Sequence, residues 1–213
     1  MVPLGGKPIL ERNIEWLSAY GIQDFAINLH YLPDIVRNYF GDGSRQGVHI
    51  TYSFEPQIMG TAGAIRLMAS HFSEPFIVWY ADNLSTCDLV RLYQQHLSRR
   101  TLATIAVFHR DDITQSGIVD LDDNDRILRF LEKPRESQVF SHWVNAGIYI
   151  LDPAVLSYIP PDGPSDFGHD VFPAILAAQQ PLYGYRMGPG ERLWWVDTPQ
   201  DLQRVQQEVI TSQ

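Results

Sequence analysis

The sequence Phe76-Ile77-Val78-Trp79-Tyr80-Ala81-Asp82-Asn83 decides the fold class of this 213-residue chain. Its first five residues are apolar or aromatic without polar alternation. This pattern predicts a strand buried on both faces, as in parallel sheets covered by helices. Asp82 follows the strand, and ligands of open α/β sheets bind just beyond the carboxyl ends of strands. Asp82 is therefore the first candidate for a functional carboxylate, and capping of the following turn is the alternative role.

The segments around this strand alternate between helical and extended patterns, which predicts βαβ units and a parallel sheet. Thr61 is expected at or near the N-cap of one of the helices. The predicted helices cover 10–17, 32–40, 61–71 and 88–98, and the predicted strands cover 22–29, 48–54 and 76–80.

The second half of the chain is richer in strands. Residues 117–121 and 127–131 read as a β-hairpin, and a helix follows at the end of the chain. We predict an α/β fold: a Rossmann-like, mainly parallel mixed sheet flanked by helices, in a single domain whose two halves share one sheet. The other predicted elements are strands at 102–109, 143–151 and 182–186, helices at 153–159 and 170–179, and a surface loop at 160–168.

Composition narrows the class of protein. Hydrophobic residues make up 45% of the chain and charged residues 19%, as in ordinary globular proteins. A net charge of −9 argues against non-specific nucleic-acid binding, which needs a basic face. Cys87 is the single cysteine, so no intrachain disulfide can form. With no apolar run of membrane-spanning length, the chain is expected to be cytoplasmic and to bind neither nucleic acid nor membranes.

The loop 55–64 carries a candidate ligand site. Gly60 and Gly63 would let backbone approach a flat or charged ligand, and the helix expected after them would direct free N–H groups at it. The alternative is a loop whose glycines are needed only for turning.

Two further candidate sites lie in the second half. After Gly117, the pair Glu132-Lys133 could accept hydrogen bonds from sugar hydroxyls and hold a phosphate, and a solvated charge pair in a turn is the alternative. Asn145 and Gly147 stand inside an apolar strand, where a polar residue and a glycine are costly unless something uses them.

A second strand-end carboxylate, Asp197, follows the apolar run 194–196. Thr198-Pro199 opening a helix is a structural reason for part of this stretch. His30 and His169 are both interpreted as structural or surface histidines.

Taken in order, these motifs resemble the sugar-1-phosphate nucleotidyltransferases, and within them the mannose-1-phosphate guanylyltransferases and similar heptose-phosphate enzymes. The resemblance spans almost the whole chain. The residues that carry it are Pro3-Leu4-Gly5-Gly6-Lys7-Pro8, Tyr39-Phe40-Gly41-Asp42-Gly43, Gly60-Thr61-Ala62-Gly63, Asp82-Asn83, Glu132-Lys133-Pro134, Asn145-Ala146-Gly147 and Asp170-Val171-Phe172-Pro173.

The resemblance implies that a sugar-1-phosphate oxygen attacks the α-phosphorus of an NTP and expels pyrophosphate, with Mg²⁺ as cofactor. The half up to about residue 110 would bind the nucleotide, and the half from about 111 the sugar phosphate. A second copy of the chain is allowed as a partner. By position, the catalytic residues would be Asp82, Lys133 and Asp197, the nucleotide-binding residues Glu55, Gly60, Thr61 and Gly63, the sugar-phosphate-binding residues Gly117, Glu132, Lys133 and Asn145, and the metal ligands Asp82 and Asp197.

The expected substrates are GTP and mannose-1-phosphate or a related hexose or heptose phosphate. Glu55 falls where relatives read the base edge, and its anionic acceptor suits the two adjacent N–H donors of guanine. The late carboxylate departs from the family pattern: alignment on Thr-Pro puts Trp195 at the metal position, whereas alignment on Trp-x-Asp makes Asp197 the ligand, which we favour.

The family's opening strand and its Gly-x-Gly-Thr-Arg loop have no counterpart in the sequence. We therefore expect a chain that lacks the first central strand of the sheet, is truncated at its N-terminus, and has little activity or stability by itself. A non-catalytic nucleotide-sugar-binding subunit of the same fold is the alternative function. A glycosyltransferase with a metal-binding Asp-x-Asp is a further alternative, although Asp82-Asn83-Leu84 lacks the second Asp.

Overall fold

The computed structural model describes residues 1–111, 113, 116–196 and 198–211, the last three without their side chains. The chain forms two compact units. The first unit comprises residues 1–56, 80–86 and 192–213, and the second comprises 57–79 and 87–191. The division of a single domain near residue 110 stays a prediction.

Six α-helices and twelve strands lie in the described part of the chain, with several turns of 3₁₀-helix and one π-helix. The helices are α1 Ile9–Ala19, α2 Pro33–Phe40, α3 Gly60–Leu67, α4 Leu89–Arg99, α5 Phe172–Ala177 and α6 Pro199–Thr211. The strands are β1 Pro3–Leu4, β2 Lys7–Pro8, β3 Asp24–Leu29, β4 His49–Phe54, β5 Phe76–Trp79, β6 Asn83–Ser85, β7 Ala103–His109, β8 Ile118–Leu121, β9 Ile127–Leu131, β10 Trp143–Leu151, β11 Leu182–Arg186 and β12 Leu193–Trp195. The 3₁₀ turns are Ser44–Gln46, Ala69–His71, Glu136–Gln138 and Pro153–Tyr158, and the π-helix is Phe167–Val171.

The first unit holds a parallel pair of strands, β3 and β4, in register from Asp24 opposite His49 to Leu29 opposite Phe54. A second pair, β6 and β12, is antiparallel. Helix α1 buries Ile14 in a core that it shares with Phe40 of α2 and with Val48 and Ile50. The predicted helices and strands of this region are confirmed, but β3 and β4 form a sheet of their own instead of part of one shared sheet.

The second unit is built on a six-stranded mixed sheet with the order β11-β7-β10-β8-β9 and with β5 also paired to β10. The predicted hairpin of β8 and β9 is confirmed, as is the α/β fold with a mixed sheet flanked by helices. The parallel share of the sheet is smaller than predicted. Among its described strands only β7 and β11 form a parallel pair, since β10 runs antiparallel to β5, β7 and β8, and β8 runs antiparallel to β9.

Strand β5 carries the apolar run that indicated the fold. It pairs antiparallel with β10, from Phe76 opposite Leu151 to Trp79 opposite Ile148. Val78 is buried and the other three residues of the strand are half-buried, so the prediction of full burial on both faces was wrong. An unbroken apolar run predicts that a strand is at least partly buried, but it does not predict which strand pairs with it.

Helices α4 and α5 cover opposite faces of this sheet. The hydroxyl of Thr104, on β7, lies 3.1 Å from Nδ1 of His96 on α4. The next residue, Ile105, pairs with Tyr149 of β10, whose ring meets Phe172 of α5 edge-on at 5.2 Å. Because consecutive strand residues point to opposite faces, the two helices must lie on different sides.

None of the helices within the described residues is both long enough and apolar enough to cross a lipid bilayer.

Candidate functional site

A bulge in β10 organises the candidate site of the second unit. Asn145 pairs with Val107 of β7, whereas Tyr149 already pairs with Ile105, so β10 carries extra residues between these two points. Gly147, in the bulge, has a φ of +68°. At the same place the neighbour on the other side of β10 changes from β8 to β5. Asn145 and Gly147 therefore lie where the pairing of β10 changes on both of its sides.

The side chain of Asn145 holds this bulge together. Its Oδ1 accepts a hydrogen bond from the N–H of Gly147 at 2.9 Å, and its Nδ2 donates to the hydroxyl of Tyr149 at 2.8 Å. The backbone N–H of Asn145 donates to the carbonyl of Gly117 at 2.8 Å. The cost expected for a polar residue in an apolar strand is thus offset within the protein, and the role of Asn145 in lining a sugar pocket stays a prediction.

The carboxylate of Glu132 lies between two glycines. A Cβ atom on Gly117 would come within 2.6 Å of Oε2 of Glu132 and 2.7 Å of the ring of Phe130. A Cβ atom on Gly168 would overlap the same Oε2 and lie 2.9 Å from Cδ. Since glycine has no side chain, both segments can approach the carboxylate directly. The structure therefore places Gly117 against the Glu132 carboxylate, and the backbone of Asn145 is hydrogen-bonded to Gly117.

Burial raises the pKa of the Glu132 carboxyl above its ordinary value. The positive charges of His169 and Lys133 oppose this shift, and the negative charge of Asp166 adds to it. Lys133 is exposed, and its backbone has a φ of +46°, which is uncommon for a residue with a side chain. Such conformations cost energy and are found disproportionately at functional sites.

The turn that begins α3 is filled by the protein itself. The N–H groups of Ala62 and Gly63 donate to the carbonyl of Ser165 at 2.9 and 3.0 Å. The N–H of Thr61 donates to Oδ1 of Asp166 at 2.9 Å. The expectation that these N–H groups point freely at a ligand was therefore wrong.

Thr61 lies near the N-cap of α3, as predicted, but the N-cap itself is Met59, which makes no side-chain capping hydrogen bond. The Thr61 hydroxyl instead donates to Oδ1 of Asp166 at 3.0 Å and accepts from the N–H of Phe167 at 3.0 Å. Gly60 has a φ of +74°, and a Cβ atom there would lie 2.5 Å from the carbonyl oxygen of Ser165. The turn and the segment 165–167 therefore fit together only with glycine at position 60.

Asp166 and Gly168 are residues that the sequence reasoning missed. Both were assigned to a surface loop, yet Asp166 precedes the π-helix and Gly168 lies within it. Two residues of this short segment contact the two candidate motifs. Asp166 accepts the N–H of Thr61, and Gly168 lies against the carboxylate of Glu132. π-Helices are rare and often occur at functional sites. The sequence signal that could have drawn attention to the segment is Gly168, two residues before the motif 170–173.

In the first unit, Glu55 lies where two parallel strands end. Its N–H donates to the carbonyl of Leu29, the last residue of β3, at 2.8 Å, and its carbonyl accepts from Nδ1 of His30 at 2.7 Å. The side chain is 2% exposed, and Oε1 lies 3.5 Å from Nδ2 of Asn28. Glu55 thus stands at the carboxyl edge of β3 and β4, the edge at which open α/β sheets bind ligands. His30 makes a structural contact there, as predicted.

Asp82, also in the first unit, is exposed in the turn before β6. Beneath this turn, the side chain of Asn13 on α1 donates to the carbonyl of Ala81 at 3.3 Å. Asn83 follows Asp82, is 3% exposed, and donates its N–H to the carbonyl of Tyr80 at 3.1 Å. The local structure therefore holds the backbone of the turn while the carboxylate of Asp82 stays accessible to solvent.

Strand β12, which precedes Asp197 in the chain, pairs with β6, and Trp195 lies opposite Asn83. Asp197 itself lies outside the described residues. Thr198 caps α6: its hydroxyl accepts from the N–H of Asp201 at 3.1 Å, while Oδ2 of Asp201 accepts from the Thr198 N–H at 3.0 Å. This reciprocal pair is a capping box, which confirms the structural role expected for Thr198-Pro199.

Whether Mg²⁺ could bind depends on the side chains available to coordinate it. Among the residues whose placement is described, no group of three or more His, Cys, Asp or Glu side chains could hold a metal ion. Mg²⁺ does not need such a cage, since it is usually bound by one or two carboxylates together with waters and substrate phosphates. The exposed carboxylate of Asp82 fits that kind of site.

We compared the chain with known protein families and sequences, and both comparisons found matches. The model of the nucleotidyl transferase family matches residues 1–211. A UTP–glucose-1-phosphate uridylyltransferase of Synechocystis is 33% identical over 92% of the chain and 53% of its own length. A probable mannose-1-phosphate guanylyltransferase of Oryza sativa is 35% identical over 94% and 55%, and one of Mycobacterium tuberculosis 31% over 99% and 58%. The chain spans a little over half the length of these relatives.

Solved structures share the fold. HddC from Yersinia pseudotuberculosis superposes with a TM-score of 0.82 at 21% identity, covering 98% of this chain and 88% of that one. A UDP-glucose pyrophosphorylase in complex with UDP-glucose superposes with a TM-score of 0.83 at 16% identity, covering 100% and 90%. At these identities the similarity establishes the architecture.

Proposed function

The chain belongs to the nucleotidyl transferase family, and from this premise we propose that it forms the catalytic part of a sugar-1-phosphate nucleotidyltransferase. The reaction joins an NTP and a sugar-1-phosphate into an NDP-sugar and pyrophosphate. A phosphate oxygen of the sugar-1-phosphate forms a bond to the α-phosphorus of the NTP, and the bond from that phosphorus to the pyrophosphate oxygen breaks. Both substrates are anions, so catalysis here is mainly positioning and charge neutralisation.

The observation that supports this proposal most directly is the approach of two distant segments to the Glu132 carboxylate. Gly117 and Gly168 of the π-helix both lie against this carboxylate, and the N–H of the bulge residue Asn145 donates to the carbonyl of Gly117. Such convergence of close-packed glycines and polar groups is typical of a built binding site rather than a solvated turn. A carboxylate acceptor at its centre suits a ligand with several hydroxyl groups.

The candidate residues of the second unit then each have a proposed role in binding. Glu132 accepts hydrogen bonds from sugar hydroxyls, and the exposed Lys133 beside it holds the sugar phosphate as a point charge. Gly117 and Asn145 line the sugar pocket. The turn Gly60-Thr61-Gly63 lies against the nucleoside by close backbone approach, since its N–H groups donate within the protein.

The residues that would hold Mg²⁺ are Asp82 and Asp197. A hard divalent cation accepts carboxylate and phosphate oxygens, and when bound it would neutralise charge between the two phosphate groups. The protein contributes the turn that carries Asp82. Asn13 stabilises this turn by donating a hydrogen bond to the carbonyl of Ala81. Asp82 is thereby presented to solvent on a backbone with defined hydrogen bonds.

GTP is the nucleotide we propose, with mannose-1-phosphate or a related hexose or heptose phosphate as the sugar. Guanine offers two adjacent N–H donors on its Watson–Crick edge, whereas uracil offers one, so the carboxylate of Glu55 would form one more hydrogen bond with guanine. Of the relatives described above, one is a mannose-1-phosphate guanylyltransferase and another a probable mannose-1-phosphate guanylyltransferase. UTP is the second candidate, because another relative is a uridylyltransferase for glucose-1-phosphate.

The proposal is tested by measuring pyrophosphate release from GTP, UTP, dTTP, CTP and ATP with mannose-1-phosphate and glucose-1-phosphate. The assay should use both the 213-residue chain and the longest natural protein that contains it. We expect turnover by the longer protein, highest with GTP, little turnover by the 213-residue chain alone, and loss of turnover in the Glu132→Gln variant of the longer protein. Thermal-shift measurements should show the largest stabilisation with GTP.

Different failures of this assay have different meanings. Larger stabilisation by UTP or dTTP than by GTP would refute the nucleotide assignment. Binding of an NDP-sugar without turnover by either protein would favour the non-catalytic subunit. Neither binding nor turnover with any pair of substrates would refute the proposed function as a whole.

A further inference from the structure

The position of the Glu132 carboxylate depends on residue 168 being glycine. A Cβ atom at Gly168 would overlap Oε2 of Glu132 and would come within 2.9 Å of Cδ and 3.3 Å of Cγ. Cβ contacts below 3.0 Å are essentially never seen, so any side chain at 168 requires the carboxylate to move. Glycine at this position has no positive-φ requirement, because Gly168 is not among the residues with positive φ. The close approach itself is what demands it.

The group that would have to move is the end of a side chain, and this distinguishes Gly168 from Gly60 and Gly117, the other close-packed glycines of the candidate site. At Gly60 the obstructing atom is the backbone carbonyl oxygen of Ser165, and at Gly117 the ring of Phe130 obstructs as well as Glu132. Backbone and core rings move only at a large cost in stability. A Glu side chain can rotate away at low cost. A methyl group at 168 therefore changes the position of the carboxylate more than it changes the fold.

Gly168 is itself held in place by its neighbours. The carbonyl of Asp166 accepts from the N–H of Asp170 at 2.9 Å, and the N–H of Asp166 donates to Oδ2 of Asp170 at 2.8 Å. Phe167 is fully buried and stacks on Phe172 at 5.5 Å. The backbone at 168 is thus anchored on both sides, and it cannot retreat from Glu132 without disturbing these contacts.

We propose that Gly168 is a positioning residue that sets where the Glu132 carboxylate meets the sugar, and so helps to determine which sugar-1-phosphate is bound. This inference rests on the proposed function, in which Glu132 accepts the sugar hydroxyls. Gly168 bounds the carboxylate on one side and Gly117 on another, so the reach of Glu132 into the pocket is fixed by two backbone segments. The π-helix places Gly168 there.

The test compares Gly168→Ala with the unmodified protein. Titration calorimetry would measure binding of mannose-1-phosphate, glucose-1-phosphate, GTP and UTP, and thermal unfolding would measure stability. We expect affinity for the preferred sugar-1-phosphate to fall roughly 10- to 100-fold, the loss of a hydrogen bond to a charged group. Nucleotide affinity and the unfolding temperature should stay close to those of the unmodified protein. The matched control is Gly190→Ala, since a Cβ atom there meets nothing within 4 Å.

A double mutant tests whether Gly168 acts through Glu132. Glu132→Asp shortens the side chain by one methylene and withdraws the carboxylate from residue 168. If the inference is correct, Gly168→Ala should cost less than about twofold in sugar affinity in the Glu132→Asp background, because coupled substitutions are not additive.

Each outcome decides between two proposals. Unchanged sugar affinity in Gly168→Ala would overturn the role of Gly168 and leave the proposed function standing. An equal loss of sugar and nucleotide affinity, accompanied by a lower unfolding temperature, would mean that Gly168 is only structural. Failure of the unmodified protein to bind any sugar-1-phosphate would overturn the proposed function and the inference with it.

Discussion

One carboxylate oxygen, Oδ1 of Asp166, accepts both the backbone N–H of Thr61 at 2.9 Å and the Thr61 hydroxyl at 3.0 Å. The same hydroxyl then accepts from the N–H of Phe167 at 3.0 Å. Two segments more than one hundred residues apart in sequence are thereby joined at the start of α3. Because the acceptor is charged, each of these hydrogen bonds is stronger than one between neutral groups.

Asp166→Ala should therefore destabilise the protein by about 2 kcal/mol, since it leaves the N–H and hydroxyl of Thr61 without their acceptor. Equilibrium unfolding in urea would measure the change. Asp166→Asn is the matched variant: it keeps a side-chain oxygen as acceptor and should cost about half as much. Equal stability of Asp166→Ala and the unmodified protein would show that water replaces the carboxylate at no cost.

Gly60→Ala should be more destabilising than Gly163→Ala. Both glycines have positive φ, +74° and +72°, so alanine is strained at either position. At Gly60, however, the new Cβ atom would also lie 2.5 Å from the carbonyl oxygen of Ser165, whereas at Gly163 it meets nothing within 4 Å.

We expect a loss of about 1 kcal/mol for Gly163→Ala and about 2 to 4 kcal/mol for Gly60→Ala in urea unfolding. The comparison separates the cost of backbone strain from the cost of the close contact. Similar losses for both variants would mean that the loop around Ser165 relaxes freely.

His96 should make stability depend on pH. Burial lowers the pKa of its imidazole, and the charge of Asp152 only partly opposes this. The folded state therefore binds a proton less readily than the unfolded state does. The contribution of His96 to stability is complete above the ordinary histidine pKa of about 6.5 and is lost as the pH falls below it towards the lower folded-state value.

The measurement is urea unfolding at several pH values between 8 and 5 for the unmodified protein and for His96→Gln. The difference in unfolding free energy between the two should shrink as the pH falls. The raised pKa of Glu132 acts in the opposite direction near its own range, but it cancels in this difference. His142→Gln is the control, because His142 is exposed. A difference that stays constant with pH would contradict the prediction.

Asp82→Asn should reduce turnover without unfolding the protein. The substitution keeps the shape of the side chain but removes the charge that would hold Mg²⁺, so kcat/KM should fall by about 100-fold or more. Because Asp82 is exposed and Asn has the same shape, the variant should stay folded.

The readouts are pyrophosphate release over a range of Mg²⁺ concentrations and unfolding in urea. Asp24→Asn is a suitable control, since Asp24 is an exposed carboxylate in the same unit, at the start of β3. Full turnover by Asp82→Asn would remove Asp82 from the proposed metal site.

Local sequence patterns predicted most of the helices and strands. The spacing of Leu10, Ile14 and Leu17 predicted α1, and β10 and β11 have the bounds that their apolar runs indicated. These patterns report on burial and backbone preference within a few residues, and such preferences survive in the folded chain. The order of the motifs was also sufficient to predict the family.

The sequence could not predict which strands become neighbours. The apolar run of β5 was interpreted as a strand of a parallel sheet, but β10 pairs with it antiparallel and brings the bulge at Asn145 to the end of that pairing. Strand pairing is decided by contacts between residues far apart in the chain, and a period of two or an unbroken apolar run is the same for either direction.

By itself, then, the sequence determined the elements, the fold class and the family, because these depend on local periodicity and on the order of motifs. Only the tertiary structure decided what surrounds each candidate residue. It assigned the N–H groups of α3 to Ser165 and Asp166, and it placed Gly168 against Glu132. The physical reason is that these hydrogen bonds and close contacts join residues that are far apart in the sequence. Residue 168 contacts residue 132 only when the sheet and the π-helix have formed.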